Sequence, residues 1–241
     1  MPSNCVLILY DNRTKRDALI PGWGFSALVK LDGKRVLFDA GADFLVLKHN
    51  AQALGVNLAA IDLLFLSHDH CDHIGGVPAV RRKGLEVYYP ASFSSSFRDM
   101  MEYTKAIPHP VCQPIEIVSR VHSLGELSGT VLGTTVTEQA LLIEGGDGPV
   151  LLTGCAHPGI VNIARAATEL IGEPIHLLLG GFHLMLAVDR TVQDTASALL
   201  RLGVRHIAPC HCTGKRAMDL LRLAFGDSYT EITLGSEIKL P

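Results

Sequence analysis

Ser67-His68-Asp69-His70-Cys71-Asp72-His73-Ile74-Gly75-Gly76 follows the apolar run from Ile61 to Leu66. His68, His70, Asp72 and His73 place four potential metal ligands within six residues, at the end of what reads as a buried strand. Neutral imidazole binds divalent cations well near pH 7, and a carboxylate adds a hard anionic oxygen. Without such a partner, this much polar functionality would sit poorly at the end of an apolar strand. A metal centre is the first expectation.

Three later clusters repeat the pattern of a histidine just after an apolar strand: Thr153-Gly154-Cys155-Ala156-His157-Pro158-Gly159, Gly180-Gly181-Phe182-His183-Leu184 and Pro209-Cys210-His211-Cys212-Thr213-Gly214. Loops at the C-terminal ends of strands converge on sites in sheet-containing folds. Together with the opening motif they supply ligands for a site holding two ions.

The chain around these loops alternates strands and helices. Val6 to Tyr10 reads as a strand. Residues 22 to 39 read as a hairpin turning at Asp32-Gly33-Lys34, and Asp43 caps a helix to about Ala53. Leu58 to Leu66 returns as a strand, Val77 to Lys83 as a short helix and Leu85 to Tyr89 as a strand. The stretch from Ala91 to Pro114 carries no clear pattern, reading equally as a surface connection or a pocket wall. Beyond it, strands are expected at Ile115–Val121, Thr130–Glu138, Ala140–Glu144 and Pro149–Thr153, with Gly145 to Gly148 as a hairpin turn. Helix Pro158–Ile171, strand Ile175–Leu179, helix Thr191–Leu202, strand Ile207–Pro209 and helix Thr213–Phe225 follow. Each half thus runs from β-hairpins into βα units. That order predicts an α/β sandwich of two β-sheets with helices outside, in one domain spanning residues 1–241 with an architectural pseudo-repeat.

Composition narrows the function classes. The chain has 241 residues, 48% of them hydrophobic and 19% charged, with a net charge of −3, so it buries a sizeable core and offers no basic field for nucleic acid or anionic lipid. No signal segment and no apolar run near the ~20 residues of a membrane helix is visible, so a cytoplasmic protein is expected. Six cysteines in a reducing compartment are expected as thiols. Cys71, Cys155, Cys210 and Cys212 each adjoin a proposed ligand, and thiolates bind zinc; small buried thiols also fill such positions well, and packing is the expected role.

The motif His68-x-His70-x-Asp72-His73, the glycine pair behind it, the Asp39-x-Gly41 turn upstream and the spaced later histidines resemble the metallo-β-lactamase superfamily across nearly the whole chain. Within it, Leu37-Phe38-Asp39-Ala40-Gly41, His49-Asn50-Ala51, Gly154-Cys155-Ala156-His157-Pro158-Gly159-Ile160-Val161-Asn162, Gly180-Gly181-Phe182-His183-Leu184 and His211-Cys212-Thr213-Gly214 resemble the branch related to dihydropterin ribofuranosyl-aminobenzene phosphate synthase. The resemblance implies an αββα sandwich of two mixed sheets flanked by helices. It places one ion on His68, His70 and His157 and a second on Asp72, His73 and His211, with zinc expected and manganese or iron also suited to the donors. A bridging aspartate expected after the strand ending at Leu179 is replaced by Gly180-Gly181-Phe182-His183. His183 is then a substitute ligand or a substrate-facing acid or hydrogen-bond donor, and occupancy by one or two ions stays open.

The chemistry such ions imply is hydrolytic: a bound cation lowers the pKa of its water towards 7 and makes hydroxide available for attack on a phosphoester, ester or lactone. Asp72 and His183 are the catalytic candidates beside the ions. Asp69, between two ligands, either orients a ligand imidazole or caps the loop. Thr213-Gly214-Lys215 opens a helix directly after His211, which suits an anionic small-molecule substrate. Lys215 is either a further charge there or a solvated surface residue. Ser26, with Trp23 and Phe25, is either pocket wall or packing. The alternative reading is the pterin-linked synthase that the branch name implies.

Overall fold

A computed structural model describes residues 4–131 and 133–240. The chain folds as two compact units, one formed by the residues up to Cys112 with Thr233–Leu240, the other by Gln113–Ile232.

The first unit starts with β1 (Cys5–Tyr10), β2 (Ser26–Leu31) and β3 (Lys34–Phe38), antiparallel neighbours whose β2–β3 hairpin turns at Asp32 and Gly33, both at positive φ. Helix α1 (Phe44–Ala53) begins where expected, because the Asp43 carboxylate accepts from the N–H groups of Leu45 and Val46. It leads into β4 (Leu63–Phe65), which pairs in parallel with β3. The strand expected from Leu58 is shorter at its start, because Asn57 caps a 3-10 turn over Leu58–Ala60. After the His loop come α2 (Cys71–Ile74), β5 (Glu86–Pro90), α3 (Ser95–Thr104) and β6 (Ile107–Val111). The helix expected at 77–83 is only a 3-10 turn, Val77–Ala79.

The stretch without a clear pattern holds both α3 and β6. Pro108 and Pro110 hide the strand, since proline cannot donate to a ladder. β6 is the last strand of its sheet, where missing donors are tolerated, and it pairs in parallel with β5.

In the second unit β7 (Ile115–Val118), β8 (Val121–Ser123), β9 (Leu127–Val131), β10 (Thr134–Glu138), β11 (Leu141–Ile143) and β12 (Val150–Thr153) precede α4 (Ile160–Ile171), β13 (Leu177–Gly181), α5 (Asp189–Arg201), β14 (His206–Cys210) and α6 (Lys215–Phe225). The single strands expected at 115–121 and 130–138 each take in parts of two paired antiparallel strands, β7 with β8 and β9 with β10. Strand β15 (Glu237–Lys239) returns to pair with β1 in the first unit.

Two large mixed sheets result, ordered β15-β1-β2-β3-β4-β5-β6 and β14-β13-β12-β11-β8-β7. In each, antiparallel strands give way to parallel ones joined through helices, as the repeated order of elements predicts. Each sheet has its own apolar cluster. Leu47, Phe97 and Met101 pack over Leu37, Leu64 and Val87 in the first unit; Ile163, Leu199 and Leu221 pack over Leu151, Leu178 and Ile207 in the second. Burial on this scale, about 25 cal/mol per Å² of apolar surface, is what holds short strands such as β4 and β11 in register. No helix among the described residues is long and apolar enough to cross a membrane.

Candidate metal centre

In the first unit β4 delivers Ser67, His68, Asp69 and His70, and the short α2 carries Cys71, Asp72 and His73. His68 and His73 are fully buried, with ring centroids 4.1 Å apart, and the His70 ring lies 4.7 Å from His68. Asp69 is exposed. Gly75 and Gly76 allow a close approach of backbone: a Cβ would meet Ala42 O at 2.1 Å and Ala40 O at 1.9 Å. The motif is thereby clamped to the Asp39–Ala42 turn.

Asp39 organises this loop. It is fully buried, at φ 53°, a strained conformation for a residue with a Cβ. Its Oδ1 accepts from Ser67 N at 2.7 Å and its Oδ2 from Ser67 Oγ at 2.7 Å and from His73 Nδ1 at 2.6 Å. The Ser67 hydroxyl proton is used on Asp39, so the 2.9 Å contact between Ser67 Oγ and His68 Nδ1 takes its proton from the imidazole. Both rings therefore carry their proton on Nδ1 and, when neutral, direct the Nε2 lone pair away from Asp39. This carboxylate–histidine arrangement is the one that orients imidazoles towards a cation. His73 Nε2 lies 3.7 Å from Asp72 Oδ2. Two ligand bonds of about 2.1 Å reach donors at that spacing, so the set fits a divalent ion.

In the second unit the loop after β12 carries His157, whose exposure is 9%. Beneath it lies Glu138, at the end of β10 and fully buried. Its carboxylate accepts from the backbone N–H of Cys155, Ala156 and His157, each at 2.9 Å. Ala156 is held at φ 64°. On β9, a Cβ at Gly129 would meet His157 O at 2.1 Å, so only glycine admits this loop. His183 is exposed, at φ 51°, with its ring 4.5 Å from that of His157. His211 is buried, at φ 49°, at the start of a 3-10 turn after β14. Left-handed backbone at three points of these loops marks positions that the surrounding structure enforces.

The residues expected at the substrate have other contacts. Ser26 is fully buried and donates to Asp39 O at 2.8 Å. Thr213 is fully buried too; it donates to Cys210 O at 2.7 Å and accepts from Phe182 N at 3.1 Å. Gly214 sits at φ 78° against Met185, and Lys215 is exposed in an i,i+4 pair with Asp219 at 2.8 Å. Asn50 bonds Ile20 N and O, tying the long loop after β1 to α1.

A model of the β-lactamase superfamily domain matches residues 34–145. The solved structure of Tm1679, a metal-dependent hydrolase of the β-lactamase superfamily, superposes with a TM-score of 0.83 at 27% identity, covering 98% of this chain and 99% of that one. In sequence and in fold the chain is similar to the metallo-β-lactamase superfamily. Among its relatives is the 7,8-dihydropterin-6-methyl-4-(β-D-ribofuranosyl)-aminobenzene-5'-phosphate synthase of Methanocaldococcus jannaschii, 26% identical over 91% of each chain. A further, uncharacterized protein of that organism is 27% identical over 90% of this chain and 93% of its own. This similarity and the metallo-β-lactamase fold agree with the donor chemistry of the His loop.

Sequence reading missed Glu138 and the part Ser67 plays. The available signal for Glu138 was an acid between two apolar strands, Thr137-Glu138-Gln139-Ala140-Leu141. A charge in such a place needs donors, and here backbone supplies them.

Proposed function

We propose that the protein is a metal-dependent hydrolase of a small anionic phosphoester, ester or lactone. The observation that carries this reading is the Asp39–Ser67–His68 relay with its branch to His73, which fixes two buried imidazoles in the tautomer that a cation requires. Following the superfamily pattern, His68, His70 and His157 hold one ion, and Asp72, His73 and His211 a second, zinc being the best match to this donor set. When bound, the ions supply Lewis-acid activation of water and substrate. The chain's own residues do the rest: Asp39 and Glu138 hold the ligand loops, and Asp72 beside His73 accepts or holds a proton at its carboxylate. His183, exposed beside His157, faces substrate as a donor or serves as a ligand. A negatively charged small molecule suits the cationic centre.

The relative in M. jannaschii favours a second reading, a synthase joining a pterin to a phosphoribosyl partner. Metal-loaded protein should hydrolyse bis(p-nitrophenyl) phosphate or a simple lactone, and His70→Ala or His211→Ala should lower bound metal and abolish turnover. If neither substrate is cleaved while a pterin pyrophosphate is consumed with an aminobenzene phosphate, the synthase reading replaces the hydrolase one.

A further inference from the structure

The loop after β12 carries a second donor beside its histidine. Cys155 Sγ lies within 4.8 Å of a ring nitrogen of His157, and also within 4.8 Å of a ring nitrogen of His211. Cys155 is 4% exposed. The superfamily pattern assigns these two histidines to different ions, so within the second unit this thiol stands next to both.

The same loop occupies the space of the missing carboxylate. A Cβ at Gly181 would meet Gly154 O at 2.3 Å, Cys212 Sγ at 2.7 Å and Cys155 Cα at 3.2 Å; one at Gly180 would meet Thr153 O at 2.1 Å. No side chain fits at either position, and the backbone that excludes it is the one bearing Cys155. Glu138 keeps that backbone in place, because withdrawing Cys155 would strip N–H donors from a buried carboxylate.

We propose that Cys155, as a thiolate, supplies the anionic ligand shared by two metal ions, in place of the aspartate that bridges them in the superfamily pattern. The inference rests on the metal reading above and revises the packing role expected for this residue. Coordination replaces the S–H bond by sulfur–metal bonds, the proton passes to solvent, and no redox change occurs. Donors bonded to one ion at about 2.3 Å through sulfur and 2.1 Å through nitrogen lie no more than about 4.4 Å apart, which is compatible with separations that stay within 4.8 Å. A thiolate also biases the centre towards zinc and away from manganese.

Cobalt(II) titrated into the metal-free full chain reads sulfur ligation directly, through a thiolate-to-cobalt charge-transfer band in the near ultraviolet. The band is expected in wild type, Cys71→Ser, Cys210→Ser and Cys212→Ser. In Cys155→Ser it should be lost, with cobalt affinity at least 10-fold weaker. A band that persists in Cys155→Ser, or a wild type that binds cobalt without it, overturns the role of Cys155 and leaves the metal reading standing. A wild type that binds neither cobalt nor zinc removes the metal reading, and this inference with it. Should Cys155→Ser not fold, zinc-edge X-ray absorption of the wild type and the other three variants decides. A sulfur shell at about 2.3 Å in all four supports the proposal, and its absence from wild type overturns it.

Discussion

Asp39 Oδ2 and His73 Nδ1 are 2.6 Å apart, both side chains fully buried, although 34 residues separate them in sequence. One carboxylate thereby orients His73 directly and His68 through Ser67. The arrangement makes the loop's chemistry depend on a residue outside the His motif.

Asp39→Asn keeps the shape but places an amide NH2 where only acceptors are wanted. The variant should lose about 10- to 100-fold in metal affinity and about 3 kcal/mol in stability. Competition with a chromophoric chelator and urea unfolding measure the two. Unchanged affinity would show that the relay does not orient the ligands.

Gly181→Asp tests whether the missing carboxylate can simply be restored. Its Cβ would meet Gly154 O at 2.3 Å, so we expect a loss of more than about 3 kcal/mol and no gain in metal content. Thermal unfolding with elemental analysis checks this. A stable variant with raised metal occupancy would refute the steric account.

Cys212 is 4% exposed and its Sγ approaches Cys155 O at 3.5 Å. Serine preserves the donor and most of the volume, so Cys212→Ser should cost about 1 kcal/mol and leave metal stoichiometry intact. Stoichiometric metal loss on dialysis would instead make this thiol a ligand.

Burial pulls the His176 imidazole below its ordinary value of 6.5; the neighbouring His206, its ring 5.0 Å away, and Arg205 add to the effect, while Asp147 opposes it. In the unfolded chain the ring takes up its proton as pH falls through 6.5, whereas the folded protein takes it up only at lower pH. The stability linked to neutral His176 is thus fully present above pH 6.5 and is lost as pH falls from there to the folded-state value. His176→Asn should therefore show a smaller drop in Tm between pH 7.5 and pH 5.5, compared on metal-free protein by calorimetry. Parallel curves for variant and wild type would exclude this contribution.

Local pattern carried much of the architecture. The Asp43 cap, the hairpin at Asp32-Gly33 and the apolar runs of β12 and β13 are short-range signals, each with its own turn or capping chemistry. β6 stayed hidden because its prolines are acceptable only at a sheet edge, a status that no local window reveals. Ser26 and Thr213 show the same limit: a hydroxyl's place in the chain does not say whether it reaches solvent or a buried carbonyl.

By itself the sequence determined the His68–His73 donor motif, its position at a strand end and the repeated order of hairpins and βα units, because spacing and periodicity are local properties. Only the tertiary structure decided what holds those donors. Asp39 joins Ser67 across 28 residues, Glu138 gathers the N–H groups of a loop 17 to 19 residues away, and Cys155 comes to rest beside His211. Buried charges require partners from distant segments, and packing alone determines which segments those are.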